Sequence, residues 1–253
     1  MCRRQIDSCR SLGAKMIASF PESDIASIPP LRNGDRLSIA EFERRWQATP
    51  SVKKAELIEG RVYLSESTGH WTFHAEPRGR LAYLLSSYAV GLAAVSVGVG
   101  PSIRMGSASM PQADAVMRID ERIGGRSRID DGLLVGGPEF IGEVCGTDEG
   151  HNWNEKKSLY ERSGVQEYLI WSQHQKRIGL FKLESDSYHE IHTQRDGILK
   201  SSIFPGLWFD PAALIADDRE RIKSIAQAGV KSAEFRSFVE NLNHRVRAIA
   251  GRS

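Results

Sequence analysis

The sequence predicts an α/β protein with a mixed β-sheet flanked by helices. Short apolar runs rich in β-branched and aromatic residues alternate with segments of helical periodicity, but without a strict strand–helix–strand rhythm. The 253 residues are enough for one large domain with appendages. We therefore expect a sheet-based domain over residues 37–215, preceded by an N-terminal arm (1–36) and followed by a basic helical tail (216–253).

The first half of this domain carries two helix signals and one hairpin signal. Ser38 can cap a helix N-terminus, with Glu41 three residues later as in a capping box. Residues 55–64 have the pattern of a β-hairpin that turns at a glycine. Residues 77–94 have the strongest helical periodicity, and Pro77 suits the first turn. These segments predict a helix, a hairpin and a longer helix, in that order.

Strand signals dominate the second half. Runs of strand length recur there, separated by glycine-rich or charged loops. The predicted strands are Val95–Val99, Pro101–Met105, Ala113–Ile119, Phe140–Cys145, Gln166–Trp171, Arg177–Leu183 and Tyr188–His192. A helix over Trp153–Ser163, closed by Gly164 in the C-terminal capping position, separates two of these strands. Residues 212–249 read as an added helical tail.

The composition is that of a globular protein and gives no overall signal for nucleic acid. Apolar residues make up 40% and charged residues 26%, and the net charge is only +2, so any nucleic-acid-binding surface must be local. Cys2, Cys9 and Cys145 have neither metal nor disulfide spacing, which is typical of a reducing cytoplasm. No apolar run approaches the roughly 20 residues of a membrane helix. We therefore expect a cytoplasmic protein.

Two carboxylates lie in strand-like runs, where an unpaired charge is costly to bury. Asp114 falls within Ala113–Ile119, and Glu143 interrupts the apolar run Phe140–Cys145 just before a small, polar loop. Taken singly, they could be a solvent-facing aspartate on an edge strand and a paired structural glutamate. Side by side they would repel, and a Mg²⁺ ion would remove the conflict because it prefers oxygen ligands. We therefore predict that Asp114 and Glu143 bind Mg²⁺ or Mn²⁺.

A lysine on the next predicted helix supplies a matching positive charge. Lys156 and Tyr160 are four residues apart and share one helix face, whereas Lys157 lies about 100° away. Beside a metal ion, Lys156 would stabilise charge on a phosphate or orient the attacking water. In the absence of the acids it would be a solvated helix lysine. Tyr160 is an accessory candidate on the same face.

Glu59 and two histidines complete the candidate set. Glu59 either completes the cation shell and positions a water, or is a turn acid beside Gly60. His74 precedes the long helix and would donate to a phosphate or lie near the metal. His70 and His74 have the spacing of a zinc pair on a helix, but Pro77 predicts a later helix start and no third soft ligand is evident. Zinc is therefore the poorer alternative.

In order and spacing, these residues resemble the Uma2 family of restriction-endonuclease-like proteins, which belongs to the PD-(D/E)XK nuclease superfamily. The resemblance extends from about Ser38 to Leu214. The matching stretches are Glu56–Gly60, His74 seven residues before Leu81, Pro111–Val116, Phe140–Val144, Glu155–Tyr160 and the Gly-Val-x-Glu-Tyr signature within Gly164–Trp171.

The resemblance implies a restriction-endonuclease-like core and assigns roles to the candidate residues. It implies that Asp114 and Glu143 form the metal site. Lys156 would be the superfamily lysine displaced from a strand to a neighbouring helix, and Glu56 or Glu59 would contribute the helix or hairpin acid.

The sequence departs from the family pattern at three places near the expected site. Cys145 occupies the position where the superfamily lysine often stands, as it does in many family members. Two residues separate Pro111 from Asp114, and residues 146–147 are Gly-Thr where the family has Ser-Pro. The last two differences affect the loops around the expected metal.

Two functional hypotheses follow. The first is a Mg²⁺-dependent endonuclease that hydrolyses DNA phosphodiester bonds by in-line attack of a metal-activated water. The second is a catalytically inactive nucleic-acid-binding or regulatory module that retains the fold. Residues 219–252 contain eight Lys or Arg against three Glu, which suits a phosphate backbone. The apolar residues of this tail also suit a homodimer through the C-terminal helix, which we favour.

Overall fold

A six-stranded β-sheet forms the centre of the structure, a computed structural model that describes residues 28–64, 70–146 and 152–251. Strands are numbered in chain order. From one edge to the other, the sheet contains β11 (Ser187–Ile191), β10 (Arg177–Glu184), β9 (Glu167–Ser172), β8 (Phe140–Cys145), β5 (Ala115–Ile119) and β3 (Val95–Val99). Strands β8 and β9 are parallel, and the other neighbouring pairs are antiparallel. The sheet is therefore mixed, as predicted.

Within the residues that the structure describes, three smaller β-structures accompany the central sheet. They are the hairpin β1 (Ala55–Ile58) with β2 (Arg61–Leu64), the sheet β4 (Ile103–Arg104), β7 (Leu133–Val135) and β6 (Arg128–Asp130), and the pair β12 (Leu199–Lys200) with β13 (Trp208–Phe209). The predicted hairpin is confirmed, since Ile58 pairs with Arg61. Its two turn residues, Glu59 and Gly60, both have positive φ, the backbone conformation that a two-residue hairpin turn requires.

The helices connect and cover these strands. In the described part of the chain they are α1 (Ile39–Gln47), a π-helical turn (Trp71–Ala75) that leads into α2 (Glu76–Ala89), a 3₁₀ turn (Glu121–Ile123), α3 (Asn152–Arg162), α4 (Pro211–Ala216), α5 (Arg219–Val230) and α6 (Ala233–Ala250). Helix α3 provides the crossover that a parallel strand pair needs between β8 and β9. The protein thus has the predicted α/β fold.

Two hydrophobic clusters lie on opposite faces of the central sheet. Met117 belongs to the first cluster, together with side chains of α2, α5 and α6. Its neighbour Val116 belongs to the second cluster, together with Leu159 and Tyr160 of α3. Because successive strand residues point to opposite faces, α2 and α3 pack on opposite sides of the sheet. Side chains from both helices can therefore meet at one set of strand ends.

The long helix begins earlier and ends earlier than the predicted span 77–94. Helical structure starts at Trp71, so the expectation that Pro77 marks a later start was wrong. The π-helical turn carries the chain into α2, with bonds such as Ala75 N–H to His70 O, and Pro77 lies in the first turn of α2, where its missing N–H is tolerated. The helix ends at Ala89 because Gly91 adopts a left-handed conformation.

Asp114 lies just before a strand rather than inside one. The predicted strand Ala113–Ile119 begins only at Ala115. The Asp114 carboxylate accepts the Val144 N–H at 2.9 Å, and its carbonyl oxygen accepts the Gly100 N–H at 3.0 Å. These two hydrogen bonds take the place of regular strand-to-strand bonds at Asp114. Strand β5 therefore begins only after this residue, next to the candidate site.

The glutamate of the Gly-Val-x-Glu-Tyr signature fixes a loop. Glu167 is fully buried, and its carboxylate accepts hydrogen bonds from the hydroxyls of Ser201 and Ser202 and from the backbone N–H groups of Ser202 and Ile203. Burial raises the pKa of Glu167, although these hydrogen bonds oppose the rise. The signature glutamate therefore anchors residues 201–203 to the central sheet.

The tail helices belong to the main hydrophobic core. Ile222 and Leu242 are buried in the first cluster, and the rings of Phe235 and Phe238 contact Tyr88 and Phe204. The apolar residues that suggested a homodimer are thus occupied within the chain. The domain boundaries at 36/37 and 215/216 stay predictions. No helix of the described ranges is long and apolar enough to cross a membrane.

We expect Leu242→Ala to lower the free energy of unfolding by about 2–5 kcal/mol, because a buried leucine is lost and a cavity is left in the core. Urea denaturation followed by circular dichroism measures this change. Asn243→Ala, at the exposed next position of α6, is the control and should change stability by less than about 0.5 kcal/mol. Equal stability of Leu242→Ala and the unmutated protein would mean that the tail does not support the core.

Candidate active site

The two predicted metal ligands lie near each other at one end of β5 and β8. Ala115, the first residue of β5, pairs with Gly142 of β8. The carboxylate of the preceding residue, Asp114, accepts the N–H of Val144, the residue after Glu143, and its charge raises the pKa of Glu143. Both carboxylates are buried, with 2% of Asp114 and 6% of Glu143 exposed. The sequence prediction that these acids come together is consistent with this placement.

Lys156 provides the counter-charge to Glu143. The Lys156 Nζ lies 2.6 Å from Glu143 Oε1, and the Tyr160 hydroxyl donates to the same oxygen at 2.7 Å. Both residues come from one face of α3, four positions apart. Lys156 is only 7% exposed and is therefore not a solvated helix lysine. One turn of α3 thus fixes the orientation of the Glu143 carboxylate.

A third carboxylate, Glu56 of β1, completes this cluster. Glu56 Oε1 lies 2.9 Å from Lys156 Nζ and also accepts the Gln112 N–H at 2.8 Å. The Gln112 carbonyl oxygen accepts a further hydrogen bond from Lys156 at 3.1 Å. Glu56 is 6% exposed. Of the two hairpin acids that the sequence left open, Glu56 is therefore the one that joins the buried cluster.

Glu59 lies in a different environment. It occupies the turn between β1 and β2, its side chain is 65% exposed, and it forms an ion pair with Arg162 at the end of α3. Its backbone N–H bonds to the Ser109 hydroxyl at 3.0 Å. These contacts favour the turn-acid interpretation, and a catalytic role for Glu59 stays a prediction.

The turn before α2 and the first residues of α2 approach Asp114. His74 Nε2 lies 3.6 Å from Asp114 Oδ2, and Arg78 Nε lies 3.5 Å from Asp114 Oδ1. Neither Asp114 Oδ1 nor Arg78 Nε has a hydrogen-bond partner within the described residues, although both atoms are buried. A buried carboxylate oxygen without a partner is rare and costs about 1–3 kcal/mol. Sequence analysis found His74 but missed Arg78, whose one-turn spacing from His74 was the available signal.

The carboxylates titrate differently because their surroundings differ. Burial raises the pKa of Glu143, the neighbouring acids raise it further, and Lys156 only partly compensates. Burial also opposes ionisation of Asp114, but the contact with His74 and the charges of Lys54 and Lys156 outweigh burial and lower its pKa. Burial opposes the charge on Lys156, yet Glu143 and Glu56 hold its pKa well above the usual range. Asp114 and Lys156 therefore stay charged at neutral pH.

Tyr160 stays protonated and acts as a hydrogen-bond donor. Burial and the adjacent Glu143 raise the pKa of its phenol well above the usual range. Its ring also lies in edge contact with Tyr168, with centroids 5.1 Å apart. The phenol is thereby held against Glu143, which suits the accessory role predicted for it.

The donor chemistry of this cluster suits a hard cation. Asp114, Glu143 and Glu56 bring three carboxylates against one lysine, and one buried oxygen of Asp114 has Arg78 Nε at 3.5 Å but no hydrogen bond within the described residues. Hard oxygen donors of this kind are the ligands that Mg²⁺ and Mn²⁺ prefer. In the described ranges, however, no three His, Cys, Asp or Glu side chains are arranged to hold an ion, whether magnesium or zinc. Lys156 occupies the place between Glu56 and Glu143 instead.

We expect Lys156→Met to lower the free energy of unfolding by about 3–5 kcal/mol at pH 7, because it leaves buried carboxylates without their counter-charge. The loss should shrink as the pH falls. The pKa of Glu143 in the folded protein is already above its unfolded value of 4.5, and removing the lysine raises it further. The folded variant therefore binds protons more tightly than the unfolded chain and gains stability below the folded pKa.

Urea denaturation at pH 7 and pH 5 measures this effect. Lys223→Met, at an exposed position of α5, is the matched control and should cost less than about 0.5 kcal/mol at both pH values. A loss for Lys156→Met that is small, or equal at both pH values, would contradict the role of Lys156 as counter-ion.

Comparison with known proteins places this chain in a family. The Uma2 family, described as "Putative restriction endonuclease", matches residues 39–213. A similar solved structure is that of a putative nuclease belonging to DUF820 from Anabaena variabilis ATCC 29413, with 14% identity and a TM-score of 0.51 over 64% of this chain and 89% of that chain. At this identity the likeness shows the fold alone. No curated protein matches the sequence significantly. Because the match covers more than half of the residues, the chain belongs to the Uma2 family of restriction-endonuclease-like proteins.

Proposed function

We propose that this protein is a nuclease that depends on a divalent cation, Mg²⁺ or Mn²⁺, and hydrolyses phosphodiester bonds of DNA. The observation that carries the proposal is the pair of buried carboxylates, Asp114 just before β5 and Glu143 in β8, with Lys156 bonded to Glu143 at 2.6 Å. Buried ionisable groups with shifted pKa values at strand ends are typical of catalytic sites. Membership in a family described as restriction endonucleases supports the same chemistry.

Asp114 and Glu143 are the residues that would hold the cation. Asp114 stays ionised and has a buried oxygen free of hydrogen bonds in the described structure, and its other oxygen accepts the N–H of Val144, next to Glu143. A divalent cation supplies two things at such a site: a water of lowered pKa and positive charge against the phosphate oxygens. The protein contributes the fixed positions of both carboxylates.

The remaining residues of the site would orient the acids and balance charge on the substrate. Tyr160 holds the Glu143 carboxylate in one orientation, and Glu56 holds the Lys156 ammonium within reach of Glu143. A lysine fixed in this way can stabilise negative charge that develops on the phosphate. Arg78 and His74, beside Asp114, add two further donors on the opposite side.

One observation favours the alternative of an inactive nucleic-acid-binding or regulatory module. Over the ranges that the structure describes, the acids form an ion-pair cluster with Lys156 and no ready cation cage. In such a module the cluster would hold β1, β8 and α3 together and bind no metal. Metal binding separates the two candidates, because only the nuclease requires it.

We expect the unmutated protein to nick or linearise plasmid DNA in Mg²⁺ or Mn²⁺ and to lose this activity in EDTA. Asp114→Asn and Glu143→Gln should reduce cleavage to background, and Lys156→Met should reduce it about 100- to 1,000-fold, since it removes a charge near the reacting phosphate. Initial rates on supercoiled plasmid, resolved on agarose gels, measure each effect.

Two glutamates of one hairpin serve as a matched pair in the same assay. Glu56→Gln should slow cleavage because Lys156 loses a partner, whereas Glu59→Gln should leave the rate within about twofold, because Glu59 is exposed and pairs with Arg162. Cleavage that survives in both Asp114→Asn and Glu143→Gln would refute the proposed site. A folded protein that never cleaves would favour the inactive module.

We also expect Mg²⁺ to raise the melting temperature. A ligand present at 100 times its Kd that binds only the native state adds about 2.7 kcal/mol, which corresponds to roughly 5–10 °C for a chain of this size. Asp114→Asn should abolish the shift while the protein still melts cooperatively. Differential scanning calorimetry with NaCl at matched ionic strength as the control measures it. No shift in the unmutated protein would contradict a metal site at Asp114.

A further inference from the structure

Exposed apolar side chains lie on, or next to, elements that contact Asp114. Among the described residues, seven large hydrophobic side chains are exposed, and three of them flank the elements that touch Asp114. Trp71 is 74% and Phe73 is 48% exposed, and both lie in the π-helical turn that contains His74. Val99, 55% exposed, ends β3 beside Gly100, whose N–H bonds to the Asp114 carbonyl. An exposed tryptophan is unusual and calls for a partner.

The π-helical turn carries both rings together with His74, the residue that contacts Asp114. His74 lies one residue after Phe73 and three after Trp71, and its imidazole is 3.6 Å from Asp114 Oδ2. The ring of His70 makes an edge contact with Phe73, with centroids 6.4 Å apart. The chain from Trp71 runs without interruption into α2, which is anchored in the core by Leu81 and Leu85. The exposed rings therefore lie on the same turn as His74, directly before the buried part of α2.

The surroundings combine aromatic rings with positive charge. Arg78 and His74 lie beside Asp114, and Lys54 is near enough to lower the pKa of that residue. Basic groups contact the phosphates of nucleic acid, and exposed aromatic rings stack on its bases. Bases in a duplex are already stacked on each other, so only an unpaired or extruded base can reach such a ring.

We propose that Trp71, assisted by Phe73, stacks on an unpaired base next to the phosphodiester that the proposed cation at Asp114 and Glu143 would hold, so that the substrate is single-stranded or locally unpaired nucleic acid. This inference rests on the proposed nuclease function and specifies its substrate class. The aromatic rings bind the base, and the cation would neutralise the carboxylates where the neighbouring phosphodiester lies.

Binding without cleavage tests the proposal separately from catalysis. Fluorescence anisotropy with a labelled single-stranded oligonucleotide, in EDTA and at one fixed salt concentration, gives the Kd of each variant. We expect Trp71→Ala to weaken binding about 5- to 150-fold, which is the range for loss of one stacked base. Trp71→Phe should recover most of the affinity, because a smaller ring still stacks. Phe73→Ala should weaken binding less than Trp71→Ala does.

Tyr83 provides the matched control. It is an aromatic residue of α2, 61% exposed, but it lies outside the turn that carries His74. Tyr83→Ala should leave the Kd within about twofold. These positions are exposed, so all variants should fold, and melting temperatures verify this.

An oligonucleotide with abasic sites completes the test, because it lacks the base but keeps the phosphates. The increase in Kd caused by Trp71→Ala should vanish on this oligonucleotide. If Trp71 contacts the base directly, the contact is already lost when the base is missing, so removing the ring has no further effect. The effect should also vanish on a blunt, fully paired duplex, whose bases cannot reach the ring.

The outcomes separate this inference from the nuclease proposal. Unchanged binding of the single strand by Trp71→Ala, or an equal loss on abasic and duplex DNA, would overturn the stacking role and leave the nuclease proposal intact. Absence of nucleic-acid binding by the unmutated protein both in EDTA and in Mg²⁺ would overturn both proposals. A dimer that dissociates in Trp71→Ala, seen by sedimentation, would assign the surface to a second copy of the chain and overturn the stacking role.

Discussion

The ion pair between Lys156 and Glu143 is the contact on which the candidate site depends. Glu143 lies inside a strand that is otherwise apolar, and its charge is tolerable there only with a buried partner. That partner comes from α3, the crossover between the two parallel strands of the sheet. Helix α3 therefore has two roles: it connects the parallel strands β8 and β9, and it supplies the buried partner of Glu143. Buried ion pairs of this kind contribute little net stability, whereas removal of one partner alone is costly, so the position of the Glu143 charge depends on α3.

The two faces of the sheet supply different chemistry to the same strand ends. Helix α3 brings Lys156 and Tyr160 from one face, and both are fully enclosed. The turn before α2 brings His74 from the other side, where side chains are more exposed. The enclosed side fixes the Glu143 carboxylate through Lys156 and Tyr160, and the more exposed side leaves His74 partly open to solvent. Asp114 lies between the two sides. It contacts His74 of the turn before α2 and accepts the Val144 N–H of β8.

Sequence alone identified the fold class and most of the buried cluster, because the signals were local. An acid that interrupts an apolar strand, such as Glu143, is visible in a short window, and so is the spacing of Lys156 and Tyr160. The choice between Glu56 and Glu59 was not visible. It depends on a lysine 100 residues away, and no periodicity within the hairpin reports that contact. The packing of Leu242 against the core was missed for the same reason: an amphipathic helix looks alike whether its partner is the same chain or a second one.

The charge balance at Asp114 argues that the cluster is more than a structural brace. A brace would have its polar atoms satisfied, as buried groups in folded proteins nearly always are. Asp114 Oδ1 and Arg78 Nε instead lie 3.5 Å apart, buried, and neither forms a hydrogen bond within the described residues. Glu56 and Glu143, by contrast, are fully engaged with Lys156. Buried polar atoms without hydrogen bonds, concentrated at one carboxylate, are characteristic of a site organised for a ligand. Proteins depart from full hydrogen bonding mainly where function requires it. His74 lies against the other oxygen of the same carboxylate, so α2 and the turn before it contribute a positively charged or polar group to each oxygen of Asp114.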